Sequence, residues 1–425
     1  MYPTKLLIYP FMVFVLLLLG ACSGDSAEPT PEASTGETAV QVTEAATAEP
    51  TEKPTMTSEP TDTPTAVPTE TPTPTETPTP EPDVIVSVPM HRGNLQRTGS
   101  YEETAVRELT GLKWQLDTGN QVHSSPIVHE GVVYFGNDDW NFFAVDAETG
   151  EELWQVHLKG NVFSTPAIVD NVAYVGNRGL HAIDLTTGEI LWFFDIGFVK
   201  MRSSPVVLDG TVYIGAENGT VYAVDAATGE GVWTFDGKGG FFSSPTIYHD
   251  TLYIGSEGAY LYALDLVTGE EKWEVKMGRT IYATPAILDG RLYIGDLDGM
   301  FFALDAATGE EIWHVQRANS IVSSAAVEDG VVYFGNLDHH FYALDAETGE
   351  ELWRFEANHE IYGSPIVLDG VVYFGSDDTN LYALDVVSGE ELWHYGTGGF
   401  VGSSPAVANG VVYFGSYDGI VYAVY

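Results

Sequence analysis

From Leu112 to Tyr425 the apolar residues come in short alternating runs, each closed by Gly, Asp or Asn. Alternation over three to six residues marks half-buried strands, and no window carries the 3.6-residue spacing of an amphipathic helix. Residues 362–400 show the pattern. Ser364-Pro365-Ile366-Val367-Leu368 predicts a first strand, turned at Asp369-Gly370, a pair whose tolerance of positive φ favours a tight hairpin. Val371-Val372-Tyr373-Phe374-Gly375 is a second strand and Asn380-Leu381-Tyr382-Ala383-Leu384 a third. Glu391-Leu392-Trp393-His394-Tyr395 is a fourth, reached across Ser388-Gly389. Four short strands with a turn signal at each junction make one antiparallel blade.

The unit recurs. Trp114, Trp154, Trp192, Trp233, Trp273, Trp313, Trp353 and Trp393 stand 38 to 41 residues apart. Pro126, Pro166, Pro205, Pro245, Pro285, Ala325, Pro365 and Pro405 mark the same period. Such a unit cannot bury its apolar face alone and must stack on copies of itself. The expected fold is all-β, an eight-bladed β-propeller of four-stranded antiparallel blades. The ends of the series predict how it closes. Trp114 has no repeat Ala or Gly before it, while Val421-Tyr422-Ala423-Val424-Tyr425 is a third strand with no Trp after it. Leu112–Leu116 should therefore be the outermost strand of the last blade, removing the open edge of a linear array.

The segment Ala383-Leu384-Asp385-Val386-Val387-Ser388-Gly389-Glu390-Glu391-Leu392-Trp393 resembles the eleven-residue tryptophan-docking motif of quinoprotein, or PQQ-like, propellers. Its Ala, Gly and Trp recur at Ala144/Gly150/Trp154, Ala182/Gly188/Trp192, Ala223/Gly229/Trp233, Ala263/Gly269/Trp273, Ala303/Gly309/Trp313 and Ala343/Gly349/Trp353. The resemblance implies that each ring on the outer strand of one blade slots against small residues of its neighbour, burying on the order of 200 Å². Met90-His91-Arg92-Gly93-Asn94-Leu95-Gln96-Arg97-Thr98-Gly99 is similar to the lead-in of many such propellers, so the likeness runs from about Pro89 to Tyr425. Trp-Asp dipeptides are absent, unlike in WD40 repeats.

Composition changes the picture at the N-terminus. Lys5 precedes an apolar run from Leu6 to Leu19, followed by Gly20-Ala21-Cys22, which resembles a bacterial lipobox with Cys22 as the lipidated residue. The run is shorter than the ~20 residues of a spanning helix. Cys22 is the only cysteine, so no internal disulfide can form. Ser23 to Asp83 repeats Thr, Pro and Glu without one aromatic residue, and carries thirteen acids against Lys53. It cannot bury enough apolar surface to offset chain entropy and is expected to be a disordered spacer. At ~3.1 Å per residue such a chain reaches on the order of 100 Å. The expected organisation is residues 1–22 signal peptide, 23–85 spacer and 86–425 propeller. The protein is expected to be extracytoplasmic and held to a bacterial membrane, at the cell surface or outer membrane, with a monomeric domain. The net charge of −44 excludes nucleic acid as the main partner, since phosphate binding needs concentrated Lys and Arg.

Candidate chemistry is sparse. The quinone-enzyme resemblance implies an adjacent cysteine pair, a calcium site of carboxylates plus Asn, and an Asp base, but this chain has no cysteine pair and no long insertion between strands. Asp296-Leu297-Asp298-Gly299 reads as a hairpin turn rather than a calcium loop. His339 and His340, placed on one strand, would point to opposite faces and could not chelate together. No catalytic, cofactor or metal residue is assigned, and no cofactor is expected. Trp140 stands outside the Trp series, in the Asp138-Asp139-Trp140 loop. What varies on the repeat is the set of bases in the connections between blades: Lys159, Lys200, Arg202, Lys238, Lys276, Arg279 and Arg317. Three places before the repeat Pro, or Ala325, stand His123, Phe163, Arg202, Phe242, Tyr282, Val322, Tyr362 and Gly402. Both sets belong to one face of a propeller. The chain is similar to the propeller lipoproteins of outer-membrane barrel assembly, which implies a non-catalytic scaffold with a protein partner. An anionic wall polymer is the other expected partner, a PQQ-dependent dehydrogenase is the alternative activity, and a carbohydrate- or wall-polymer-binding module, with Phe242, Tyr282 and Tyr362 as contacts, is a further alternative.

Overall fold

The computed structural model of the chain describes residues 90–99, 101 and 103–425. The expected signal peptide, Cys22 and the spacer lie outside the described residues. Within them there are thirty-two strands and no helix, grouped in eight four-stranded antiparallel sheets. Blade 1 comprises Ile127–His129, Val132–Gly136, Asn141–Asp146 and Glu152–His157, innermost strand first. Blades 2 to 7 follow the same order, with innermost strands Ala167–Val169, Val206–Leu208, Thr246–Tyr248, Ala286–Leu288, Ala326–Glu328 and Ile366–Leu368. Blade 8 is Ala406–Ala408, Val411–Gly415 and Ile420–Val424, completed by Leu112–Asp117 from the other end of the chain. Thr110 and Gly111 donate amides to Tyr425 O, and Tyr425 donates back to Gly111 O, so backbone hydrogen bonds run past the last strand of the closed blade.

The first hairpin of each blade turns where the sequence places it. At Asp369-Gly370 φ is 45° and 74°, the left-handed pair that suits a right-twisted hairpin. The turn before the Trp is built by a side chain. Asp385 Oδ1 accepts from the amides of Val387 and Ser388 and from the Ser388 hydroxyl, and these bonds hold the carboxylate below its ordinary range.

Each Trp leans on the following blade. Trp114 Nε1 donates to Ala147 O at 2.9 Å, and a Cβ on Gly150 would stand 2.7 Å from the Trp114 ring. The same contact joins Trp154 to Leu185 O, Trp192 to Ala226 O, Trp233 to Leu266 O, Trp273 to Ala306 O, Trp313 to Ala346 O and Trp353 to Val386 O. Blade 8 has no such turn to offer, because its outermost strand comes from the far end of the chain. Trp393 instead donates to Val106 O at 2.7 Å, and Tyr373 bonds both polar groups of the Val106 backbone. A segment ahead of the first strand thus supplies the missing contact.

A second belt lies nearer the axis and was not anticipated. The residue before each repeat Pro or Ala325 is Ser or Thr, and at six of the eight blade junctions its hydroxyl accepts the equivalent amide of the preceding blade. Thr165 donates to Ser204, Ser204 to Ser244, Ser244 to Thr284, Thr284 to Ser324, Ser324 to Ser364, and Ser404 to Ser125 across the closure.

Candidate functional site

The innermost strands turn one backbone edge toward the axis, where no further strand pairs with it. The lead-in segment fills this position on half of the ring. The amides of Ile247, Ile287, Val327 and Val367 donate to the carbonyls of Leu95, Gln96, Thr98 and Gly99. Arg92 Nη1 donates to Pro365 O at 3.2 Å and Nη2 to Ala325 O. Arg97 donates to Pro245 O at 3.1 Å and Pro205 O at 2.9 Å. Both arginines are fully buried, with no carboxylate partner among the described residues, and burial pulls them down to about 10 and about 9. Carbonyl oxygens of four blades carry what an ion pair would otherwise supply. The resemblance of 90–99 to a lead-in therefore has a physical content: it knits blades 3 to 7 together at the axis.

The opposite end of the axis opens on the face of the connections. There, two rings of side chains form a collar. The first holds the eight residues three places before the repeat Pro. The second holds Asp138, Arg178, Glu217, Glu257, Leu297, Leu337, Asp377 and Tyr417, each two residues past the Gly that ends a second strand. Seven blades fix this second ring alike: the amides of Asp138, Glu217, Glu257, Leu297, Leu337, Asp377 and Tyr417 donate to Gln121, Lys200, Gly240, Thr280, Ser320, Glu360 and Phe400 carbonyls. This column is legible in sequence as a variable place after a fixed Gly, and it was missed.

The collar residues touch in series. His123 packs on Tyr417 at 4.2 Å and on Phe163 at 5.1 Å. The Arg202 guanidinium lies between the Phe163 and Phe242 rings, at 4.7 and 5.2 Å, and pairs with Glu217 at 2.7 Å. Phe242 meets Tyr282 at 5.0 Å, and the Tyr282 hydroxyl donates to Glu257 at 3.4 Å. His123 Nε2 stands 3.4 Å from Asp138. Burial raises the Glu257 carboxyl, with Glu217 adding to it. Burial, then Glu360 and Asp378, push Asp377 up to about 7.

The bases named from sequence do not form one patch. Arg202, Phe242 and Tyr282 come together in the collar, and Tyr362 stands in the same ring further round. Lys238 pairs with Glu274 at 2.6 Å over the Tyr260 ring, Arg279 stands 3.7 Å from Asp298, and Arg317 pairs with Glu351 at 3.3 Å over Tyr342. Lys276, expected in a connection, instead ends the outermost strand Glu271–Lys276. Its ammonium leans toward Tyr260 because that strand runs one residue further than the alternation suggests. Among the described residues, Lys159, Lys200 and Lys276 have no carboxylate within ion-pair distance.

Other candidates resolve into local structure. Asp296 Oδ1 accepts the amides of Asp298 and Met300 and Oδ2 that of Arg279, so the turn consumes the carboxylate. His339 is not on the strand with His340. It sits in the turn at φ 72° and stacks on His359, while His340 opens the strand and bonds Asp338. Trp140 occupies the same turn place in blade 1 at φ 70°, 40% exposed, against His157. Among the described residues no three His, Cys, Asp or Glu side chains converge on one point, so the calcium of the quinone-enzyme resemblance finds no fitting ligand set.

Eight blades, cross-blade tryptophans and a Velcro-like closure by the first strand define a PQQ-type repeat propeller. The family profile described as outer membrane protein assembly factor BamB matches residues 104–215, 144–246, 176–278, 217–325 and 303–425, and the chain belongs to that family. No curated protein matches the sequence. Among solved structures, BamB from Moraxella catarrhalis is 20% identical over 74% of this chain and 99% of that one, with a TM-score of 0.64. The computationally designed Ika8 protein is 19% identical over 74% and 100%, at 0.67. A europium-containing methanol dehydrogenase is 16% identical over 78% and 90%, at 0.68. At these identities the likeness is one of fold.

Proposed function

We propose that the chain is a non-catalytic extracytoplasmic scaffold, tethered to a membrane through Cys22 and its Thr/Pro/Glu spacer, that engages a protein partner on the connection face. Membership of the BamB family over 104–425 is the observation that carries this reading. The connection face supports it further. Phe198, in the connection from blade 2 to blade 3, is 94% exposed, and Lys200 beyond it has no acid within ion-pair distance among the described residues. A bare aromatic beside a free cation is the composition of an interface anchor. The domain is taken as residues 86–425, the spacer as 23–85 and the signal peptide as 1–22.

The dehydrogenase reading rests on fold alone, because similar folds carry unrelated activities. The collar supports the scaffold: its carboxylates Asp138, Glu217 and Glu257 are engaged by His123, Arg202 and Tyr282, and no insertion roofs the axis among the described residues. Site-specific photocrosslinking in intact cells tests the reading. A crosslinker at Phe198 should capture one dominant partner, while one at Asp209, in a hairpin of the opposite face, should not. Equal capture from both places would contradict it, as would stoichiometric PQQ binding with dye-linked alcohol oxidation by the purified protein.

A further inference from the structure

The outermost strand of each blade leaves one backbone edge unpaired among the described residues. Such an edge invites a further strand, and charged side chains are the usual guard against it. Seven blades carry that guard. Each of their outermost strands contains an acid or a lysine, and the residue after the Trp is polar: Gln115, Gln155, Thr234, Glu274, His314, Arg354 and His394. Blade 2 has neither feature. Its outermost strand, Ile190–Phe194, is apolar throughout, and Phe193 holds the polar place. Ile190, Leu191 and Phe193 are exposed, Leu191 by 53%. Local structure fixes this surface. The turn between the second and third strands of blade 2 is one residue shorter than in the other blades. At its Gly179, φ 148°, a Cβ would stand 2.5 Å from the Phe193 ring, which stacks on the buried His181 at 4.5 Å.

An element covering this edge must be an extended strand, because only a strand meets both the apolar side chains and the open main-chain groups. Charge selects its kind. Glu189 and Asp195 bracket the strand and are both exposed, so basic residues suit the two ends of the added segment. A second copy suits it poorly. Antiparallel pairing about Trp192 would set Glu189 against Asp195 of the other copy, on chains that each carry a net charge of −44. We propose that the outer edge of blade 2 takes an added β-strand from a partner protein, an extended apolar segment with basic residues at its ends. The proposal rests on the scaffold reading and deepens it, since the exposed Phe198 follows on the same stretch of chain.

Titration of the full-length protein with the peptide acetyl-Lys-Val-Thr-Val-Thr-Val-Lys-amide, read by calorimetry and amide hydrogen exchange, tests the edge by itself. Saturable binding should slow exchange within residues 190–194 about tenfold or more and leave the other outermost strands unchanged. Leu191→Lys with Phe193→Gln gives blade 2 the pair that blade 8 carries as Lys113 and Gln115, and should weaken binding about tenfold or more. Phe193→Gln alone should weaken it severalfold, and serves if the double variant melts early. Leu352→Lys, at the equivalent place of blade 6, should leave it unchanged, and replacing both peptide lysines by Glu should weaken it. No saturable binding at millimolar peptide, equal affinity in both variants, or protection spread over all the outermost strands would overturn the proposal. A wild-type dimer in sedimentation that the double variant lacks would also overturn it, by giving the edge to a second copy. Failure of the peptide beside a dominant Phe198 crosslink would leave the scaffold reading standing, whereas peptide binding without that crosslink would count against the scaffold reading and not the edge.

Discussion

The two ends of the axis are built from the same innermost strands and behave as opposites. At one end, Arg92 and Arg97 are fully buried and the lead-in carbonyls meet four strand amides in order. At the other, the collar residues are half-buried and their charges only partly paired: Arg202 has Glu217 and His123 has Asp138, while among the described residues Asp377 has no cation within ion-pair distance. A buried polar network stabilises only when each member is satisfied. At the lead-in end both guanidiniums are met by carbonyls, although His91 Nδ1 is buried without a partner among the described residues. In the collar the charges are only partly paired.

Breaking the lead-in end should cost most. Arg92→Ala together with Arg97→Ala strands carbonyls in blades 3, 4, 6 and 7, and should destabilise by at least about 5 kcal/mol, enough to unfold a domain of ordinary margin. Denaturant unfolding would measure it, and a loss under about 1 kcal/mol would show that the lead-in merely rests in the channel. Next comes the closure. Trp114 is 7% exposed and is the docking ring of the strand that latches the ring, so Trp114→Ala should cost about 3–5 kcal/mol.

The collar should respond with the opposite sign. Asp377 binds its proton more tightly when folded, at about 7 against 3.8 for an ordinary Asp. Its contribution is therefore fully present below about pH 4 and is lost as pH rises through 7. Glu360, Asp378, Tyr362 and Tyr417 surround it, and none supplies positive charge. Asp377→Asn escapes the loss, so the variant should gain on the wild type between pH 5 and pH 8 by about 1–3 kcal/mol in parallel thermal melts. A variant that is equally destabilised at both pH values would mean the carboxylate is structural. Trp140→Gly should matter least. It relieves a non-Gly residue at φ 70°, where blades 3, 5 and 8 carry Gly219, Gly299 and Gly419, and should be neutral or stabilising by up to about 1 kcal/mol.

The same contrast explains what could be read in advance. Strand number, blade order and closure follow from local patterns, because alternation, Asp-Gly turns and the Trp period each report on nearby backbone. Leu112–Asp117 was placed in the last blade from what the flanking repeats lacked. The lead-in's task was not legible, because Arg92 and Arg97 act on carbonyls 108 to 273 residues away. The basic arc was legible as composition but not as a surface. Which of Lys238, Arg279 and Arg317 are neutralised depends on acids of adjacent strands and blades, Glu274, Asp298 and Glu351, and no single repeat shows them.

Among the connection bases, those left without an acid are the ones available to a partner. Reversing Lys159, Lys200 and Lys276 to Glu tests whether the connection face is the binding surface, by capture of the crosslinked partner across a salt series. The wild type should capture it at low salt and progressively less as salt screens exposed charge beyond ~8 Å. The triple variant should melt as the wild type does, because none of the three belongs to a docking contact, and should lose capture at low salt. Undiminished capture by a variant that melts normally would contradict the assignment of this face.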